Sequence, residues 1–99
     1  MKEVKVLVID PVGLHARPAT VAVNGASRCK CDVKVVFNGK SVNMKSIMGV
    51  MSLGVPTKSE VTIICDGEGE EEAIKNIVDV LVTQKVIDGS KIEFGDKAN

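Results

Sequence analysis

K-E-V-K-V-L-V-I-D-P-V-G-L-H-A-R-P-A-T, from Lys2 to Thr20, holds a strand, a turn and a helix start in succession. Val4, Val6 and Val8 share one face at period two, with Glu3, Lys5, Leu7 and Ile9 opposite, the pattern of a half-buried strand. Pro11 to Gly13 is turn chemistry. From Ala16 onward, Ala19, Ala22, Val23 and Ala26 fall at the i, i+3, i+4, i+7 spacing of a helix face. Pro18 supports a helix start there, because proline in the first turn lacks only an N–H that would have no helical partner.

Working outward, Cys31, Val33, Val35 and Phe37 alternate with Asp32, Lys34 and Val36, which predicts a second strand. Asn38-Gly39 closes a hairpin, since both residues tolerate the positive φ of a type I′ turn, and Lys40 to Asn43 returns as a third strand. Ile47 to Leu53 suits a short helix, broken by Pro56, Thr57 and Lys58. A fourth strand runs from Glu60 to Asp66, and Gly67 to Gly69 leads into a helix over about residues 70–85. Its acids Glu70, Glu71 and Glu72 favour the positive end of the macrodipole, and Ile74, Ile77, Val78 and Leu81 form its buried stripe. The order strand, helix, strand, strand, helix, strand, helix predicts an α+β fold: a two-layer open-faced sandwich, with a four-stranded antiparallel sheet and three helices on one face. Residues 1–88 are expected to form this domain. Residues 89–99 show no clear period and are expected to be a loosely ordered tail.

The 99 residues, 44% of them hydrophobic, suffice for one core and not for two. Lys plus Arg and Asp plus Glu number 13 each, so no basic field gathers nucleic acid, and base-stacking aromatics are limited to Phe37 and Phe94. No apolar run approaches the roughly 20 residues of a membrane span, and the N-terminus alternates Val with charge, so a soluble cytoplasmic protein without membrane insertion is expected. Cys29, Cys31 and Cys65 cannot all pair within one chain and are read as thiols. A structural zinc normally takes four Cys or His ligands, so no metal is expected, and no cofactor.

His15 is the only histidine. A lone histidine is most often a surface or structurally satisfied residue, but this one precedes a helix start, where the free N–H groups of Ala16 and Arg17 and the dipole make an anion site. The planar guanidinium of Arg17 suits phosphate oxygens. A nucleophilic nitrogen, backbone donors and an arginine in one short run describe a place to receive, hold and release a phosphoryl group without metal. Gly13 lets the backbone bend tightly ahead of the ring. Acyl transfer fits poorly, because no motif supplies the acid that orients a Ser–His or Cys–His unit.

P-V-G-L-H-A-R-P-A-T, from Pro11 to Thr20, resembles the active-site signature of the HPr family, the histidine-containing phosphocarriers of the bacterial sugar phosphotransferase system. S-I-M-G-V-M-S-L-G, from Ser46 to Gly54, resembles the family's regulatory segment, and the likeness covers about residues 2–88. It implies that His15 accepts phosphate through Nδ1 from enzyme I and passes it to a sugar-specific enzyme IIA, with Arg17 stabilising the phosphate. The chain would then be a protein substrate of enzymes rather than a catalyst by itself. Ser46 matches the serine phosphorylated by HPr kinase/phosphorylase, and a catabolite-control transcription regulator is a further implied partner. Unmodified, Ser46 can cap the short helix. Ile47, Met48, Met51 and Leu53 exceed what so short a helix can bury, and the resemblance makes them the docking patch. A monomer is expected. Val12 stands where the family often has a small polar residue, and the tail is longer than usual. Two other classes share the fold: a regulatory paralogue acting only through Ser46, which lacks the histidine, and the nitrogen-branch phosphocarrier, which generally lacks the serine segment.

Overall fold

The computed structural model describes residues 1–96. In chain order the elements are β1 (Lys2–Val8), α1 (Ala16–Ser27), β2 (Asp32–Phe37), β3 (Lys40–Asn43), α2 (Ile47–Ser52), β4 (Glu60–Asp66), α3 (Glu70–Thr83) and β5 (Ile87–Asp96). The strands form one sheet in the order β3-β2-β4-β1-β5, antiparallel throughout.

The period-two expectation for β1 holds. Val4, Val6 and Val8 are buried while Lys5 is exposed, and they share one apolar face with the buried residues of β4 (Val61, Ile63, Cys65) beside them and of β2 (Val33, Val35) one strand further on. That single apolar face receives the helices. Ala19, Ala22 and Ala26 of α1, Val50 of α2, and Ala73, Ile74, Ile77, Val78 and Leu81 of α3 complete the core. The alanines of α1 are small enough for that helix to sit close to the sheet. Asn38 and Gly39 both take positive φ, 50° and 77°, as a type I′ hairpin requires, and Phe37 faces Lys40 across it.

The sheet has five strands rather than the four expected. Ile87 to Asp96, most of which was expected as loosely ordered tail, pairs antiparallel with β1, from Lys2 opposite Asp96 to Val8 opposite Ile87. The last three positions, 97–99, lie outside the described residues. The connection into β5 begins where α3 ends. Lys85 takes φ 61°, and the Val86 N–H donates to Leu81 O at 2.8 Å, the six-to-one bond of a Schellman ending that turns the chain back along the sheet. Burial of Val86 and Ile87 then holds the first residues of the strand in place.

Candidate functional site

The turn between β1 and α1 is built around Asp10, the only buried charged or polar residue among those described. Its Oδ1 accepts the Val12 N–H at 3.1 Å, and its backbone carbonyl accepts the Gly13 N–H at 2.9 Å. Gly13 has φ 71°, and a Cβ there would stand 2.2 Å from Val55 O, so only glycine fits. The next amide, Leu14 N–H, donates to that same carbonyl at 3.0 Å, and the Leu14 side chain is buried. These bonds tie the turn to the segment leaving α2, so the two motifs singled out in the sequence are joined through the backbone.

His15 is the N-cap of α1, with extended backbone (φ −137°, ψ 156°), and its side chain makes no capping bond. The residue is exposed, which leaves the imidazole open to a partner. Ala16 follows with φ 51°, a left-handed value rare outside glycine, so the junction between His15 and its helix is strained. The first-turn amides of Ala16 and Arg17 have no carbonyl one turn earlier to bond, and Pro18 behind them is buried and has no N–H to leave unpaired. Arg17 is exposed, and its Nη2 donates to Asp10 Oδ2 at 3.3 Å. One contact engages one edge of the guanidinium and leaves its other N–H groups free for an anion. Asp10 was not singled out in the sequence. A carboxylate closing an apolar strand before Pro-x-Gly is a turn signal, but its reach to Arg17 seven residues later is visible only in three dimensions.

Ser46 is the N-cap of α2, and its Oγ accepts the Gly49 N–H at 3.1 Å. A side chain at Gly49 would crowd that hydroxyl, with its Cβ 3.4 Å from Ser46 Oγ, so Gly49 keeps the serine open, a role not read from the sequence. Along α2 the four expected patch residues separate. Met48 is 77% and Ile47 38% exposed and Met51 is half-buried, but Leu53 is buried at 8%. Leu53 therefore belongs to the core and not to an outward patch. The helical period explains it: at about 100° per residue Leu53 lies some 60° from the fully buried Val50, whereas Met48 lies about 160° away. Val12, 57% exposed in the turn before His15, adds an apolar residue that the sequence had marked only as a departure.

All three cysteines are free, with Cys29 half-buried and Cys31 and Cys65 buried. Burial, reinforced by the neighbouring Cys31 and Cys29 sulfurs, pushes the Cys65 thiol up to about 12. No group of three or more His, Cys, Asp or Glu among the described residues could hold a metal ion. No described helix is long and apolar enough to cross a membrane.

Fold and site together define an open-faced α+β sandwich that presents an exposed histidine at a helix amino end. The family model described as PTS HPr component phosphorylation site matches residues 2–83. A histidine-containing phosphocarrier protein from Mycoplasma is 37% identical and superposes with a TM-score of 0.84, over 88% of this chain and 99% of that one. HPr from Thermoanaerobacter tengcongensis is 46% identical with a TM-score of 0.81, over 87% and 96%. The Bacillus subtilis catabolite repression protein Crh, described as an intertwined dimer with a swapped domain, is 46% identical with a TM-score of 0.65, over 80% and 90%. The chain belongs to the HPr family of phosphocarriers of the phosphotransferase system.

Proposed function

We propose that this chain carries a phosphoryl group on His15 in the cytoplasm, taking it from enzyme I and giving it to sugar-specific enzyme IIA. The observation that carries this reading is the exposed His15 at the N-cap of α1, with its imidazole uncommitted to capping and Arg17 held beside the turn by Asp10. In the forward step a ring nitrogen, Nδ1 by family resemblance, attacks the phosphorus carried by the donor. The new N–P bond forms as the donor's bond to phosphorus breaks, and the electron pair of that bond stays with the donor atom. The first-turn amides and the free edge of Arg17 offset charge on the phosphoryl oxygens, and a nucleophile of the acceptor repeats the displacement in the next step. No cofactor or metal enters this scheme.

Ile47, Met48 and Met51, with Val12 from the turn, are the apolar surface proposed to meet enzyme I and IIA. Ser46 is proposed as the site of HPr kinase/phosphorylase, and the phosphorylated form as the ligand of a catabolite-control regulator. Its N-cap position suits a phosphate, which the helix dipole favours, so the fold should tolerate the modification. The presence of His15 favours a carrier over a paralogue acting through Ser46 alone. The test is incubation with phosphoenolpyruvate and enzyme I. Acid-labile phosphate should appear on the wild-type chain and be absent from His15→Ala, whose fold should be unchanged because an exposed residue is replaced. Acid-labile phosphate of equal amount on His15→Ala would end the assignment.

A further inference from the structure

Arg17 meets the site with its charge already engaged. Its Nη2 donates to Asp10 Oδ2 at 3.3 Å, and the two partners are unequal, the Arg17 side chain being 59% exposed and that of Asp10 11%. The carboxylate is pinned by the turn around it. Its Oδ1 accepts the Val12 N–H at 3.1 Å, its backbone carbonyl accepts the Gly13 N–H at 2.9 Å, and the neighbouring Ile9 N–H donates to Val86 O at 2.9 Å, in the connection that leaves α3. Among the described residues Arg17 is the only cation paired with Asp10. If the guanidinium swung away, Oδ2 would stand in a mostly buried place without a partner, and a charged acceptor left unpaired there is costly.

An anion on His15 must therefore share Arg17 with Asp10. An unopposed guanidinium would grip two phosphoryl oxygens with its full charge, whereas one tied to a carboxylate offers its remaining edge and a charge partly cancelled. A carrier accepts and releases the same group, so interactions that hold the phosphorylated form too well favour the first step at the expense of the second. Resting on the carrier reading above, we infer that Asp10 is a positioning residue for phosphoryl transfer. By holding Arg17 at the turn and drawing off part of its charge, it keeps the phosphoryl group on His15 loosely held and ready to be passed on. A pair that only braced the turn would change stability or the rate of transfer. It would not change the equilibrium between the free and the phosphorylated chain, and that equilibrium separates the two roles.

The experiment brings the full chain to equilibrium with catalytic enzyme I over a range of phosphoenolpyruvate-to-pyruvate ratios, extending to a large excess of pyruvate. Acid-labile phosphate on the chain gives the equilibrium constant, which poor docking to enzyme I would delay but not move. Asp10→Asn keeps an oxygen for the Val12 N–H and removes the charge that faces Arg17. Asp10→Ser removes the same charge with a hydroxyl that forms the two-residue turn more weakly. Each should raise the constant in favour of the phosphorylated chain about two- to fivefold, the factor that one partly exposed ion pair supplies. In the Arg17→Ala background the same changes should leave the constant where Arg17→Ala alone puts it, the non-additivity of two residues acting as a unit. A constant that the Asp10 variants leave unchanged or lower would overturn the inference. So would a rise that persists without Arg17, which would assign the effect to the Asp10 charge by itself. Equal constants on chains that do take phosphate would sink this inference alone, whereas a wild-type chain that takes none at any ratio would sink the carrier reading with it.

Discussion

Ser46 is the residue at which stability and docking separate most cleanly, and two substitutions pull them apart. Ser46→Ala removes the acceptor of the 3.1 Å bond from Gly49 N–H and leaves that half-buried amide unpaired, while Ser46 O still accepts the Val50 N–H at 3.0 Å. Loss of a serine N-cap costs about 1 kcal/mol, within a range of about 0.5–2. For a domain of this size about 1 kcal/mol lowers Tm by about 4–8 °C. Ser46→Asp keeps an acceptor for Gly49, has room because that position is glycine, and gains about 0.3–1 kcal/mol from the helix dipole, so its Tm should match or exceed wild type. Docking runs the other way. Ala leaves Ile47, Met48 and Met51 apolar, and KM for phosphorylation by enzyme I should stay at the wild-type value. Asp sets a charge beside them that must be desolvated on contact, at about 1–3 kcal/mol, which raises KM roughly 5- to 150-fold with kcat unchanged. Thermal unfolding by circular dichroism and initial-rate kinetics with enzyme I read the two effects. If Ala unfolds at the wild-type temperature, the cap contributes nothing; if Asp leaves KM unchanged, α2 is not where enzyme I docks and its regulatory role is withdrawn.

Three further outcomes follow from the geometry. Arg17→Ala should keep the fold, since the arginine is exposed, and slow phosphoryl transfer in both directions; equal rates in rapid-quench experiments would reduce it to a surface charge. Gly13→Ala should destabilise by about 2–4 kcal/mol in urea titration, because a Cβ 2.2 Å from Val55 O breaks the tie to Leu14, and a wild-type midpoint would mean that the turn has room to relax. Cys65, neutral well above pH 8 because its folded-state value is raised to about 12, should resist iodoacetamide in the native protein and react only after unfolding. Mass spectrometry of the alkylated chain checks it.

The parts of this fold that could be read from sequence are those where one side faces water and the other the core. Val4, Val6 and Val8, the Asn38-Gly39 turn and the Ile74, Ile77, Val78, Leu81 stripe each carry the period of their element, because burial on one face selects apolar residues there. β5 could not be read in the same way. Its core-side residues Ile87 and Ile92 meet Val8 and Val6, two positions apart on β1, yet they are five apart on β5. The irregularity between them changes the phase of the alternation, and Gly89 and Gly95 lower the strand signal on either side of Ile92. The same reasoning separates the two halves of the site. His15, Arg17 and Ser46 could be singled out because their chemistry lies in adjacent residues at helix starts. Asp10 and Gly49 act through space, one on a guanidinium across a turn and the other by the side chain it lacks, and neither relation has a sequence period. Leu53 is the instructive miss between these cases. Composition placed it with the methionines of α2, whereas its angle from Val50 around the helix axis places it in the core. On so short a helix it is angular position, more than the number of apolar residues, that divides a docking surface from the packing beneath it.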